Sequence, residues 1–230
     1  MKVVVFGGSG LVGDGFIQES LNADDVTEVV TVGRTLLDLA HPKLRQVVHD
    51  DFSDFTTISD DLAGADACFW ALGVSSSTVN AQDYERITYD YTVAAARTLA
   101  TINPDLTFVY VSGGGTDSTE RGRSRWARVK GRTENAIIKT FPNGYALRPG
   151  FVEPLHGKQS KTTAYRIFVP ALPAIALIAR MLRLTPVLMT STRQMGQVVL
   201  HLARDGYPRH VLENRDIVAI DALPGRGMPR

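Results

Sequence analysis

Three glycines near the start of the chain stand at a spacing that suits contact with phosphate groups. Gly7, Gly10 and Gly13 directly follow the apolar run Lys2–Phe6. The first glycine permits a tight turn, the second lets a pyrophosphate approach the backbone, and the third lets a helix pack against the strand. The free N–H groups at the start of that helix attract anions. The pattern therefore predicts a dinucleotide-binding turn. The residues of this turn expected at the cofactor are Gly7, Ser9, Gly10, Leu11, Val12 and Gly13.

Residues after the other predicted strands extend this site. Arg34 lies about twenty residues beyond the turn, where NAD-preferring proteins usually carry an acidic residue. A guanidinium can clamp a 2′-phosphate, so Arg34 favours NADP over NAD, although a solvated surface arginine is the other interpretation. Asp51 could accept a hydrogen bond from the adenine amino group or could cap a helix. The other residues expected at the cofactor are Phe52, Ala71, Leu72 and Gly73.

Strand-like and helical runs alternate along the chain, which is typical of parallel βαβ units. We therefore predict an α/β fold, a Rossmann-like doubly wound parallel sheet, as a single domain over residues 1–230. Residues 150–190 are expected to form a small C-terminal lobe on the substrate side. The predicted strands are Lys2–Phe6, Glu28–Val32, Arg45–Val48, Ala67–Trp70, Thr107–Val111 and Asn143–Arg148. The predicted helices are Leu11–Leu21, Gln82–Thr101, Arg125–Phe141 and Met189–Ala203.

Composition narrows the classes of function. A net charge of +1 gives no reason to expect a nucleic-acid partner, and 44% hydrophobic residues in a chain of 230 can form one substantial core. The one cysteine, Cys68, lies in an apolar run and is expected to be buried. The five histidines show no metal-binding spacing, so no metal site is expected. The N-terminus carries no secretory pattern, which favours a cytoplasmic protein, either a monomer or a homodimer.

The segment 168–184 is apolar nearly all round but is interrupted by Arg180 and Arg183. It is too short to span a bilayer, so no integral membrane span is expected. Three interpretations are open, namely a helix over the substrate pocket, a dimer surface and a peripheral membrane contact. We favour the first. His156, before this segment, is a further candidate at the substrate or an exposed loop residue.

Seven short motifs are spread over most of the chain, namely Gly7-x-x-Gly10-x-x-Gly13, Val32-Gly33-Arg34, Asp51-Phe52, Ala71-Leu72-Gly73, Val111-Ser112, Val129-Lys130-Gly131 and Leu147-Arg148-Pro149-Gly150. With these motifs the chain resembles the short-chain dehydrogenase/reductase superfamily, and within it the atypical, extended-type branch. That branch includes Tat-interacting-protein-like oxidoreductases and NAD-dependent epimerase/dehydratase-like proteins. The resemblance covers nearly the whole chain and implies an NAD(P)-binding enzyme acting on a small molecule.

One departure from the superfamily bears on catalysis. Its usual pair is Tyr-x-x-x-Lys, in which the tyrosine exchanges a proton with the substrate oxygen and the lysine holds the nicotinamide ribose. This chain has Trp126 four residues before Lys130. An indole N–H is a donor that does not titrate near neutral pH. The resemblance implies substrate and cofactor contacts for Ser112 and Lys130, whereas Trp126 occupies the catalytic position without the usual proton. Tyr110 and Tyr145 are predicted to be core residues of strands.

Two functions follow from these residues. The first is an NADP(H)-dependent oxidoreductase or epimerase/dehydratase-like enzyme acting on a small carbonyl or hydroxyl compound. The second is a sensor or regulatory protein that binds the dinucleotide without turnover, which the loss of the tyrosine favours. A third, an interaction protein in which the cofactor only rigidifies the fold, is also open.

Overall fold

The computed structural model of the protein describes residues 1–155 and 188–222. The strands in these residues are β1 (Lys2–Phe6), β2 (Glu28–Gly33), β3 (Leu44–Val48), β4 (Ala67–Trp70), β5 (Thr107–Val111), β6 (Gly144–Arg148), β7 (Phe151–Glu153), β8 (Met189–Ser191) and β9 (Val211–Glu213). The α-helices are α1 (Leu11–Asn22), α2 (Ser59–Leu62), α3 (Ala81–Glu85), α4 (Tyr91–Ile102), α5 (Arg125–Thr140), α6 (Thr192–Asp205) and α7 (Asn214–Asp221).

The main sheet has the order β3-β2-β1-β4-β5-β6-β9, and its strands are all parallel. The chain crosses from the β3 edge back to the middle of the sheet, so the strand order reverses between β1 and β4. In open α/β sheets this reversal opens a crevice outside the carboxyl ends of the strands. The order therefore places the turn after β1 beside the turn after β4. Strands β7 and β8 form a separate parallel pair.

Both faces of the main sheet are buried, because successive side chains of a strand point to opposite faces. In β1, Val3 and Val5 belong to one core cluster, while Val4 and Phe6 belong to the other. The first cluster includes residues of α1, α6 and α7, and the second includes residues of α2, α4 and α5. This two-sided packing confirms the predicted doubly wound α/β fold. Cys68, Tyr110 and Tyr145 are buried, as predicted.

Helix α1 is held in place by very close packing against α6. A Cβ atom at Gly15 would lie 2.7 Å from the carbonyl oxygen of Thr192, and one at Gly196 would lie 2.4 Å from Cγ of Glu19. Small residues at a helix contact allow the backbones to approach. The last third of the chain thus fixes the position of α1, and with it the start of the glycine turn.

Two predicted helices differ from the structure. The predicted helix Gln82–Thr101 is divided into α3, a wider π-helical segment over Arg86–Asp90, and α4. The predicted helix Met189–Ala203 is wrong at its start, because Met189–Ser191 is strand β8. The reason is a capping box: the Ser191 hydroxyl accepts from the backbone N–H of Gln194, whose side chain accepts from the N–H of Ser191. This reciprocal pair starts α6 at Thr192.

Parts of the C-terminal third were not predicted or lie outside the described residues. Strand β9 and helix α7 were missed, since short elements carry little periodic signal. Of the predicted lobe 150–190, the structure describes only the ends, which include β7 and β8. His156 and the segment 168–184 lie outside the described residues.

Candidate functional site

The glycine turn is built so tightly that two of its positions admit only glycine. Gly7 has a φ of +80°, and a Cβ there would lie 2.6 Å from the backbone of Ala71 and Leu72. A Cβ at Gly13 would lie 2.3 Å from the carbonyl oxygen of Gly7. The ends of β1 and β4 and the first turn of α1 therefore meet backbone against backbone.

Gly10 stands in different surroundings. A Cβ at Gly10 would meet only the Gly7 carbonyl oxygen, at 3.3 Å. The Gly10 N–H donates to that oxygen at 2.9 Å, and the Gly10 carbonyl accepts from the N–H of Asp14 at 3.0 Å. Gly10 is thus the N-cap of α1, and no side chain caps the helix there. The N–H groups of Leu11, Val12 and Gly13 have no acceptor within the helix, and such groups can bind a phosphate.

A crevice of about 400 Å³ opens above this turn at the carboxyl ends of β1, β2 and β3. Five residues of the predicted cofactor site line it, namely Gly7, Ser9, Arg34, Phe52 and Leu72. Arg34 is exposed at the crevice, whereas Phe52 is buried. The guanidinium and the turn therefore border one cavity, as the sequence spacing predicts. Ala71 is half-buried and Gly73 is exposed, with no atom within 4 Å of a Cβ built on it.

Gln46 is a lining residue that the sequence analysis missed. Its amide oxygen accepts from the N–H of Leu37 at 2.7 Å, and its amide nitrogen donates to the carbonyls of Leu37 and Leu39 at 3.1 and 3.0 Å. These three bonds anchor the loop that follows β2, and that loop carries Arg34. An uncharged polar residue within the short strand β3 is the sequence signal that could have indicated it.

Asp51 is exposed, and its carboxylate is hydrogen-bonded to Ser53, two residues further along the chain. It accepts hydrogen bonds from the hydroxyl and the N–H of Ser53, and these bonds lower the pKa of Asp51. The carbonyl oxygens of Asp51 and Asp54 lie 2.6 and 2.8 Å from Nε2 of His49, which fixes the turn. Contact between Asp51 and an adenine amino group stays a prediction.

Ser112 follows β5, and its hydroxyl lies in a short chain of hydrogen bonds. Its Oγ is 3.0 Å from Oγ1 of Thr116, and Thr116 donates to the carbonyl of Gly113 at 2.8 Å. Since Thr116 has one hydroxyl proton, Ser112 donates to Thr116 in this arrangement. The lone pairs of Ser112 Oγ remain able to accept. Both residues are buried.

Helix α5 places Trp126 and Lys130 one turn apart, as predicted. The indole ring of Trp126 packs over the loop after β5, 3.6 Å from a Cβ built on Gly115. The Lys130 ammonium donates to the carbonyl of Val111 at 3.3 Å and to the hydroxyl of Tyr110 at 3.5 Å. Burial lowers the pKa of Lys130 to about 8, against an opposing contribution from Glu134. Lys130 therefore lies at the carboxyl end of β5, beside Ser112.

The contact with Tyr110 was not predicted. Strand alternation correctly placed this residue in the core, but the pattern does not show that its hydroxyl reaches Lys130. Burial raises the pKa of Tyr110 far above its ordinary value, so the phenol stays neutral near physiological pH. Tyr110 is a neutral hydrogen-bond partner and does not replace the missing tyrosine as an acid.

Beneath this site a carboxylate and a guanidinium form a buried pair. Glu134 is fully buried, and Arg148 binds both of its oxygens, at 2.9 and 2.6 Å. Arg148 also donates to Glu213 and to Ser118, and its partner carboxylates raise its pKa. The pair joins α5 to β6 and β9. The Glu134 carboxylate is therefore already engaged by two hydrogen bonds from one cation.

The structure thus collects the predicted residues at the carboxyl edge of the sheet. The glycine turn, Arg34, Phe52 and Leu72 surround one crevice, while Ser112, Trp126 and Lys130 gather after β5. Across residues 1–155 and 188–222, no three potential metal ligands converge. Among the described helices, none combines the length and apolar character that crossing a membrane requires.

No protein-family model matches the chain. Leucinostatins biosynthesis cluster protein T from Purpureocillium lilacinum is 30% identical over 122 residues, which are 50% of this chain and 44% of that protein. Protein fmp52-2, mitochondrial, from Aspergillus terreus is 28% identical over 151 residues, which are 64% of this chain and 66% of that protein. The chain therefore aligns with less than half of the first relative and about two-thirds of the second.

Solved structures match a larger share of this chain than these two relatives do. The Bordetella bronchiseptica enzyme WbmF, in complex with NAD+ and UDP, matches with a TM-score of 0.67 and 20% identity over 93% of this chain and 71% of that one. A short chain dehydrogenase/reductase family oxidoreductase from Burkholderia thailandensis matches with a TM-score of 0.65 and 15% identity over 95% and 92%. The chain therefore has the fold of short-chain dehydrogenase/reductase structures, which confirms the predicted resemblance at the level of fold.

The buried pair generates a prediction about stability. Glu134→Gln removes the buried carboxylate from Arg148 and leaves it only the more exposed carboxylate of Glu213, and losing one member of a buried pair costs about 3–5 kcal/mol. Urea denaturation of the wild type and the variant measures this loss. Glu120→Gln is the matched control, since Glu120 is exposed, and its unfolding free energy should change by less than about 0.5 kcal/mol. Equal losses of unfolding free energy in the two variants would contradict the conclusion that Glu134 and Arg148 form a stabilising buried pair.

Proposed function

We propose that the chain binds NADP(H) and acts as an oxidoreductase or epimerase/dehydratase-like enzyme on a small carbonyl or hydroxyl compound. The observation that carries the proposal is the tight backbone turn at Gly7, Gly10 and Gly13, whose first residue lines the crevice that Arg34 borders. The bound nicotinamide would supply or accept a hydride. The fold is shared with WbmF, which was solved with NAD+, and this likeness supports a dinucleotide as the ligand.

Each part of the site has a role in this proposal. The N–H groups at the start of α1 would bind the pyrophosphate, and Arg34 would bind a 2′-phosphate on the adenosine ribose. Phe52 and Leu72 would enclose the adenosine, with Asp51 near its amino group. Residues after β5 would face the nicotinamide and the substrate. Ser112 would contact the substrate oxygen, and Lys130 would reach the nicotinamide ribose.

The second candidate function is a dinucleotide sensor without turnover. The observation that favours it is Trp126, which stands on α5 one turn before Lys130, where the superfamily has its tyrosine. The indole carries no proton that titrates near neutral pH. Tyr110, whose hydroxyl contacts Lys130, does not take over this role, because burial keeps the phenol neutral.

The substrate class, the partners, the oligomeric state and the location of the protein belong to the same proposal. A small-molecule substrate, no nucleic-acid partner, and a monomer or homodimer in the cytoplasm remain our predictions. The lobe over residues 150–190 would cover the substrate. One relative is named a mitochondrial protein, so location should be tested directly with a tagged chain in cells.

Arg34 predicts a preference between cofactors. We expect NADPH to bind about 10- to 100-fold more tightly than NADH, because hydrogen bonds to a charged group contribute about 1.5–3 kcal/mol. Arg34→Ala should remove most of this difference and leave NADH binding nearly unchanged. Calorimetric titration of both cofactors measures it. Arg45→Ala, an exposed arginine on β3 paired with Asp61, is the control and should retain the preference. Equal affinities of the wild type for the two cofactors would rule out the NADP assignment.

Substitutions of Trp126 distinguish the enzyme hypothesis from the sensor hypothesis. If the protein is an enzyme, Trp126→Tyr and Trp126→Phe should reduce a panel of aldehydes, ketones, sugars and quinones at rates within about tenfold of each other, because the proton comes from elsewhere. If it is a sensor, Trp126→Tyr alone should gain activity, by about 10²–10⁴-fold, since it restores a general acid four residues before Lys130. NADPH absorbance during turnover is the measurement. A gain confined to Trp126→Tyr would overturn our choice of enzyme.

A further inference from the structure

Lys130 is placed where the chemistry of the site requires a group that exchanges protons. Its Nζ lies 3.3 Å from the carbonyl of Val111, the last residue of β5, and Ser112 comes next. It shares this end of the strand with Trp126, which has no such proton to give. Lys130 is half-buried, so it is partly withdrawn from water.

The groups around Lys130 leave its charge without a direct counter-ion. On α5 the nearest carboxylate is that of Glu134, and Arg148 on β6 already binds both of its oxygens. On β5 the facing group is the Tyr110 phenol, which burial keeps neutral by raising its pKa. Within the described residues no carboxylate lies within 4.0 Å of the Lys130 ammonium. Both hydrogen-bond acceptors that the described residues offer to the Lys130 ammonium, the Val111 carbonyl and the Tyr110 hydroxyl, are neutral.

From this placement we propose that Lys130 itself exchanges the proton with the substrate oxygen, in the position of the missing phenol. This inference depends on the proposed function, because it needs a nicotinamide dinucleotide as the hydride donor or acceptor. It differs from the role that the superfamily resemblance implies, in which the lysine only anchors the ribose and assists a tyrosine. A lysine whose pKa is lowered toward neutrality is a competent general acid and base.

As the carbonyl carbon of the substrate gains a hydride from the reduced nicotinamide, its oxygen gains electron density and takes a proton from Nζ of Lys130. The N–H bond breaks, its electron pair stays on nitrogen, and an O–H bond forms. The neutral amine then takes a proton from water. Ser112 Oγ, whose proton points to Thr116, can accept from the new hydroxyl and hold it in place.

The lowered pKa of Lys130 fixes the direction of the pH dependence. Lys130 is protonated below about pH 8, so carbonyl reduction should be level there and should fall tenfold per pH unit above it. Alcohol oxidation needs the neutral amine, so its rate should rise through the same region and then level off. Burial is the cause in both directions, because it disfavours the charged form of the amine.

The first test needs neither cofactor nor substrate. The chain has few lysines, and trace labelling with acetic anhydride at a series of pH values, read by mass spectrometry, gives the pKa of each one. Lys130 should label with a midpoint near pH 8, whereas the lysine of an unstructured reference peptide labels with a midpoint of about 10.4. A midpoint for Lys130 equal to that of the reference peptide would overturn the proposal.

The second test uses variants with NADPH and the carbonyl panel. Lys130→Arg keeps a positive charge that does not titrate in this range. It should bind NADPH within about tenfold of the wild type and lose about 10²–10⁴-fold in turnover. Ethylamine and its less basic fluorinated analogues should rescue Lys130→Ala at rates that follow the amine pKa, which a purely structural role would not produce. Lys139→Arg should leave turnover unchanged.

The outcomes separate the two proposals. A chain that binds no dinucleotide refutes the proposed function, whatever the labelling shows. A chain that binds NADPH but turns over nothing refutes proton transfer by Lys130 and supports the sensor. Full turnover by Lys130→Arg, or no rescue of Lys130→Ala by any amine, also refutes proton transfer by Lys130.

Discussion

The close approach of three backbone segments at Gly7 and Gly13 is the constraint on which the candidate site depends. The end of β1 touches the end of β4 at Gly7, and the first turn of α1 touches Gly7 at Gly13. A single Cβ at either position would force these segments apart. Because they are in contact, α1 begins directly after Gly7, Gly8 and Ser9, which line the crevice. Helix α6 completes the constraint by fixing α1 through Gly15 and Gly196.

The half of the site after β5 depends on how its charges are arranged. Arg148 donates two hydrogen bonds to the buried carboxylate of Glu134 and thereby joins α5 to the sheet. Lys130, one helical turn before Glu134, donates to the neutral oxygens of Val111 and Tyr110. The pair of Arg148 and Glu134 thus positions the helix that carries Lys130. Burial lowers the pKa of Lys130, and the Glu134 carboxylate opposes that shift.

Much of the fold could be predicted because its signals are local. Apolar runs of β1 to β6 and the glycines between β1 and α1 lie within short windows of sequence, and their predicted places were correct to within a residue or two. The start of α6 was predicted wrongly because its apolar spacing extends back into β8. A capping box at Ser191, visible in the sequence as Ser-x-x-Gln, decides that boundary.

The chemistry of the site was harder to predict, since it depends on contacts between distant parts of the chain. Arg34 could be placed at the crevice by its distance from the glycine turn, but its loop is anchored by Gln46, which no motif includes. The spacing of Trp126 and Lys130 showed that a phenol was missing. It did not show that Tyr110 lies under the lysine, because that contact joins β5 to α5.

In the proposed complex the pyrophosphate of a dinucleotide lies over Gly10. Calorimetric titration of the Gly10→Val variant with NADPH tests this placement most directly. A side chain at Gly10 meets little protein, so the variant should unfold at a temperature close to that of the wild type. The same side chain would occupy the space of the pyrophosphate, so the wild type should bind NADPH and Gly10→Val should show no detectable heat of binding. A folded Gly10→Val that binds NADPH as tightly as the wild type, or a wild type that binds neither NADPH nor NADH, would contradict the account.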